Sequence, residues 1–207
     1  ANLSSSILQS ALKGSIKNTF NAISCDGDTS TNDMVSLFST NKAKNPNIKN
    51  FKDPKLKKFC QSLNDVLLNL AKRVASDGEG ASKFITVNCI NSKTENEAKN
   101  ICFSIANSPL VKTAISGEDP NWGRIAMAVG KSNAKIDEKK LSISIGSFKI
   151  LIKGSLNKDY NEKIIREYMQ NQSIDITVDV GLGNKKFTAY TMDLTKKYIE
   201  INADYRS

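Results

Sequence analysis

Apolar residues in this chain recur with two different periods, and the change from one to the other limits the folds it can adopt more than any other feature. Ile7, Leu8, Leu12, Ile16, Phe20 and Ile23 fall three to four positions apart and predict an amphipathic helix over residues 4–24. A second helix is predicted to start at Asp53, an N-cap residue followed by Pro54 at the first helical position. It carries Leu56, Phe59, Leu63, Val66, Leu67, Leu70 and Val74 inward and stops at Gly78 and Gly80. The period then falls to two. Ile85, Val87 and Cys89 share one face of a strand over 84–90, and Thr94 with Glu97 forms a capping-box pattern for a helix ending near Pro109. Residues 141–145 and 148–152 read as strands joined across Gly146 and Ser147, and 159–169 reads as a helix. Ile174, Ile176, Val178 and Val180 alternate as a strand that turns through 181–184 into another containing Phe187 and Ala189. The predicted class is mixed α/β in two lobes, 1–90 and 91–207, with no internal repeat and no obvious linker.

Size and charge narrow the functional classes. A chain of 207 residues can bury roughly 70% of its unfolded surface, enough for a real core. No apolar run approaches the roughly 18 residues of a membrane span and no signal-peptide pattern opens the chain, so no membrane association is expected and the expected compartment is the cytoplasm. The net charge of +9 invites a nucleic-acid reading, but Lys55, Lys57, Lys58, Lys139, Lys140, Lys185 and Lys186 are scattered and not interleaved with aromatics. Solvated faces, or attraction of a small anionic substrate, account for them without nucleic acid. Cys25, Cys60, Cys89 and Cys102 form no C-x-x-C pair, and the chain contains 0 His, which removes zinc-finger and histidine-based catalytic schemes within it. Neither a metal nor a cofactor is expected.

Four segments carry candidate chemistry. Asp26-Gly27-Asp28-Thr29-Ser30-Thr31-Asn32-Asp33 is a run of small and polar residues between apolar stretches, suited to binding backbone amides or a polar ligand. Carboxylates alternate at its start as in an EF-hand calcium loop, but the match is weak, with Thr31 rather than Gly at the sixth position and Leu37 rather than Glu at the twelfth. An Asx-type turn remains the alternative. Asp77-Gly78-Glu79-Gly80 reads either as a glycine helix stop or as a carboxylate flanked by backbone that a ligand can approach closely. Gly117 to Arg124 contains the only Trp, Trp122, beside Arg124, and reads as a rigid loop that starts a helix. At the C-terminus Ile199 and Ile201 are expected to face inward with Asn202 on the other side, so that Asn202 and Ser207 line a pocket.

Taken together these segments resemble the β-chain of the glutamate/ornithine N-acetyltransferases of arginine biosynthesis. The resemblance spans essentially the whole chain and rests on Ala1-Asn2-Leu3-Ser4-Ser5-Ser6, the 26–33 run, Asp77 to Phe84, Asp119 to Ile125 and Ile201 to Arg206, in that order. It implies a precursor that cleaves itself before a threonine, leaving associated α- and β-chains, with α2β2 as the expected assembly. That threonine, expected upstream of Ala1, would take the acetyl group of N-acetylornithine and pass it to glutamate, its own new amine serving as base so that no histidine is needed. Oxyanion donors and a substrate-contacting lysine are expected on the α-chain.

Within this chain the resemblance assigns substrate contacts to Glu79, Asn202 and Ser207. Ser82 and Ser207 stand where threonine is more usual, and both keep the hydroxyl. The implied architecture is an αββα-type sandwich shared with the α-chain plus a C-terminal α/β lobe, with residues 1–90 completing the sandwich and the C-terminal tail returning to the active site. Acetyl-CoA as a further acetyl donor is compatible with it. The competing assignment is a related N-terminal-nucleophile aminopeptidase or amidohydrolase, which would transfer the acyl group to water.

Overall fold

The computed structural model describes residues 1–46 and 48–205. The polypeptide forms two compact units, one made of Ala1–Ile23 and Thr29–Arg73, the other of Ser24–Asp28 and the chain from Val74 onward.

In the first unit, helix α1 (Ser5–Ile16) is shorter than its apolar stripe predicted. Thr19 ends the helical path: its backbone adopts φ −124° and ψ −95°, and its hydroxyl bonds back to the Ser15 carbonyl at 2.8 Å. A single 3₁₀ turn, Phe20–Ala22, follows. Leu3, Ile7, Ile48 and Leu56 form the buried cluster, with Leu8, Phe59 and Cys60 packed against it. Asp53 opens the approach to α2 (Leu56–Ser76) as expected, its carboxylate accepting from the Lys55 amide at 2.9 Å. The apolar face of α2 is wider than the chain covers. Leu56 and Leu67 are buried, whereas Val66, Leu70 and Val74, four positions apart and expected inward, are exposed. In the extended stretch after residue 33, Met34 and Phe38 are also exposed, Phe38 by 85%.

The second unit is built on a six-stranded sheet in the order β4-β3-β2-β5-β1-β6. These strands are β1 (Phe84–Ser92), β2 (Ser142–Ile145), β3 (Phe148–Ile152), β4 (Ser155–Leu156), β5 (Ser173–Asp179) and β6 (Lys185–Met192). β1 pairs parallel with β5 and antiparallel with β6, so the strand read at 84–90 sits inside the sheet made by the later strands. The alternation read from sequence becomes rows of side chains. Ile145, Ile176, Val87 and Ala189 stand in register across the sheet, and Ile143, Val178, Cys89 and Phe187 form the next row. Helix α3 (Glu95–Ala106) covers β1 and β6, burying Ala98, Ile101, Cys102 and Ile105. Its capping box is complete: Thr94 accepts from the Glu97 amide at 3.1 Å, and Glu97 accepts from the Thr94 amide at 3.2 Å. α4 (Pro109–Ser116) restarts the helix with Pro109 at its first turn, and α5 (Trp122–Gly130) starts at the Asn121 cap, as the Gly117–Arg124 motif predicted. α6 (Glu162–Met169) and α7 (Lys196–Asp204) complete the unit. Among the described residues no helix is long and apolar enough to cross a membrane.

The sheet core also fixes cysteine chemistry. Burial, and then Asp179, pushes the Cys89 thiol up to about 12, and burial pushes Cys102 up as well. Iodoacetamide at pH 8 should therefore label only the half-buried Cys25 and Cys60 in the native protein, and all four after denaturation, as read by peptide mass spectrometry. Early labelling of Cys102 would contradict this packing.

Candidate active site

The site is assembled in the second unit where three separate pieces of chain meet: the turn after α2, the segment 24–28, and α7. The turn begins when α2 runs out at Ser76. Gly80 takes φ +68°, a left-handed conformation that costs glycine little, and the Ala81 amide closes the turn onto the Gly78 carbonyl at 3.0 Å. The helix-stop reading of this motif is therefore correct. What approaches Gly80 closely is the backbone of α7: a Cβ on Gly80 would lie 2.5 Å from the Tyr198 nitrogen and 2.9 Å from the Lys197 carbonyl carbon.

The C-terminal segment is a helix and not the alternating strand-like tail expected from Ile199 and Ile201. α7 buries no residue, and Ile199 is 63% exposed. Too few apolar side chains are present for packing to set its position, so polar contacts do. The Thr195 hydroxyl donates to the Gly80 carbonyl at 2.7 Å and accepts from the Lys197 amide at 3.1 Å, starting the helix and tying it to the turn. Two of the residues expected in the site meet as a result: the Asn202 side-chain amide donates to Glu79 Oε2 at 2.7 Å and to the Tyr198 carbonyl at 3.0 Å. Ser207, the third, lies outside the described residues.

The segment 24–28 lies along β6, where the Ser24 amide donates to the Tyr190 carbonyl at 3.0 Å and the Ser24 hydroxyl to Asn107 Oδ1 at 2.6 Å. The Asx turn is present, with Asp26 Oδ1 accepting from the Asp28 amide at 2.9 Å, while Oδ2 accepts from the Tyr198 hydroxyl at 3.0 Å. Lys112, 3% exposed, donates its ammonium to the Cys25 carbonyl and, at 3.2 Å, to the Thr191 hydroxyl. Burial lowers its affinity for the proton, opposed by Cys25, Asp26 and Asp193 nearby. Desolvation, the Asp26 hydrogen bond and the charges of Asp26, Glu79 and Asp28 together raise the Tyr198 phenol to about 12, so it remains a donor at neutral pH. Three carboxylates, Asp26, Asp28 and Glu79, thus lie around Tyr198 although the whole chain carries +9. Exposed carboxylates of this kind can accept from an ammonium group.

Beside this turn, Ser82 is bonded to the residue that follows β6. Its hydroxyl donates to Asp193 Oδ2 at 2.6 Å, while Asp193 Oδ1 accepts from the Ser82 and Lys83 amides at 2.8 and 2.9 Å. Asp193, Lys112, Thr195 and Tyr198 were not singled out by the sequence. Thr195 alone carried a local signal, as a cap residue directly before two lysines.

The fold that carries this site recurs in a solved structure. The crystal structure of the arginine biosynthesis bifunctional protein ArgJ from Bacillus halodurans superposes with a TM-score of 0.94 at 37% identity, over 99% of this chain and 96% of that one. The arginine biosynthesis bifunctional protein ArgJ of Bartonella henselae is 48% identical over 207 residues, covering 100% of this chain and 50% of that protein. Its Bradyrhizobium diazoefficiens counterpart is 48% identical over 203 residues, covering 97% and 49%. The chain spans about half the length of the curated relatives it matches. The ArgJ family model matches residues 1–207, and the chain belongs to that family.

Proposed function

We propose that this chain is the β-chain of a self-cleaving ornithine acetyltransferase, with Glu79 and Asn202 holding an amino group of the substrate. The observation that carries the reading is the convergence of Glu79 and Asn202, from opposite ends of the second unit, in a 2.7 Å contact. In the reaction, the hydroxyl of a threonine outside this chain attacks the acetyl carbon of N-acetylornithine, the C–N bond breaks, and ornithine leaves with the proton on its amine. Glutamate's amine then attacks the acetyl ester and frees the threonine. Carboxylates that face the amines suit both half-reactions. Ser207 belongs to the same substrate group in this proposal, and acetyl-CoA would enter as an alternative donor in the first half-reaction.

A separate α-chain is the proposed partner, in an α2β2 assembly located in the cytoplasm. Support comes from two sides: the B. halodurans chain is matched over 96% of its length whereas the curated relatives are about twice as long, and Val66, Leu70 and Met34, Phe38 expose apolar surface suited to a covering chain. No part of the reaction requires nucleic acid or a membrane.

Glu79→Gln tests the site directly. It keeps an acceptor for Asn202 and removes the charge, so kcat/KM for N-acetylornithine should fall about 10- to 100-fold in the complete enzyme with an unchanged thermal midpoint. Unchanged kinetics would remove Glu79 from the site.

A further inference from the structure

Three polar ties, and no buried side chain, hold α7 in place. Thr195 fastens its start to Gly80, Asn202 ends the line of contacts on Glu79, and Tyr198 lies between them. Tyr198 serves the helix in two directions, since its carbonyl accepts from the Asn202 amide while its hydroxyl donates to Asp26 across the site. The Asp26 segment is itself anchored, by Lys112 on the Cys25 carbonyl and by Ser24 on β6 and Asn107. The phenol therefore links a helix without buried side chains to an anchored segment.

We propose that Tyr198 is a positioning residue for substrate binding: its hydroxyl on Asp26 fixes the turn of α7 from which Asn202 reaches Glu79. The inference rests on the reading that Glu79 and Asn202 bind the substrate. It assigns Asp26, at the start of the polar 26–33 run, the role of anchoring a helix. A hydrogen bond from a neutral phenol to a carboxylate is stronger than one between neutral groups, and here it is one of three polar ties on a helix that buries no side chain.

The test uses the complete two-chain enzyme and steady-state kinetics with N-acetylornithine varied at saturating glutamate. Tyr198→Phe deletes only the hydroxyl. Its KM should rise about five- to tenfold, with kcat within about twofold and the thermal midpoint unmoved. Asn202→Ala should raise KM by at least as much, and the Tyr198→Phe/Asn202→Ala double variant should be no worse than Asn202→Ala alone, because the effect of Tyr198 passes through Asn202. A lower thermal midpoint with unchanged KM in Tyr198→Phe would make the phenol merely structural and overturn the inference. So would fully multiplicative effects in the double variant. If Asn202→Ala and Glu79→Gln raise KM but Tyr198→Phe does not, the inference fails while the site stands. If none of the three moves KM, the site reading fails and the inference with it.

Discussion

Gly80→Ala should lower kcat/KM by about 100-fold or more, the largest loss expected from any single added methyl group in this chain. Two effects act together. The left-handed φ of +68° strains any residue with a Cβ by about 1–2 kcal/mol, and the new carbon would sit 2.5 Å from the Tyr198 nitrogen, a backbone atom that cannot rotate away. α7 must then lift off the turn. With it go the Thr195 bond to the Gly80 carbonyl and the Asn202 bond to Glu79, so the loss should appear as a kinetic defect well beyond any change in thermal midpoint. Gly14→Ala is the control: beyond its chain neighbours and its own helix backbone, nothing lies within 4 Å of the place its methyl group would take, and activity should be unaffected. Near-normal kinetics for Gly80→Ala would mean that contact between α7 and the turn is not needed for turnover.

Asp193→Ala should be the most destabilising of the polar substitutions considered, by about 3–5 kcal/mol, with a fall of about 10 °C in thermal midpoint. Asp193 is fully buried and accepts from two backbone amides and one hydroxyl, stitching the end of β6 to the start of β1. Its removal would leave the part-buried Ser82 amide and the buried Lys83 amide without their acceptor. Asp193→Asn separates geometry from charge. Oδ1 already receives both amides, and the asparagine nitrogen can donate to the Ser82 hydroxyl, so this variant should lose only about 1 kcal/mol. Equal losses for the two variants would show that the charge matters and the bonding pattern does not.

Much of the fold was legible because local and long-range demands agree. The Thr94–Glu97 capping box, the Gly146-Ser147 turn and the alternation of β1, β5 and β6 each serve the element they predict, and the sheet then aligns those same faces into rows. Disagreements arose where a pattern is satisfied by something other than local burial. The α2 stripe continues through Val66, Leu70 and Val74 although this chain leaves them exposed, since periodicity records which faces are apolar and not which partner covers them. Ile199 and Ile201 imitate strand alternation over too short a stretch, and the Thr195 cap with the polar ties of Tyr198 and Asn202 settles the segment as a helix.

The site was legible in part. Family resemblance pointed to Glu79 and Asn202, which do meet, but the groups that bring them together left almost no trace in the pattern. Lys112 sits among Val111, Ala114 and Ile115 in a helix whose apolar face gives no sign that a buried ammonium holds the Cys25 carbonyl. Asp193 and Tyr198 act across more than 100 residues of sequence, Asp193 on Ser82 and Tyr198 on Asp26, and no spacing rule reports contacts of that range. Ser82 uses its hydroxyl for a structural bond to Asp193, which its place beside the glycine motif did not suggest.

Acetyl transfer to glutamate is the central claim, and the most direct measurement of it is the rate of ornithine release from N-acetylornithine by the complete enzyme with and without glutamate. Release should be slow without glutamate, and with it fast and matched mole for mole by N-acetylglutamate. Release at the same rate without glutamate, with free acetate as the product, would contradict the claim and identify a hydrolase.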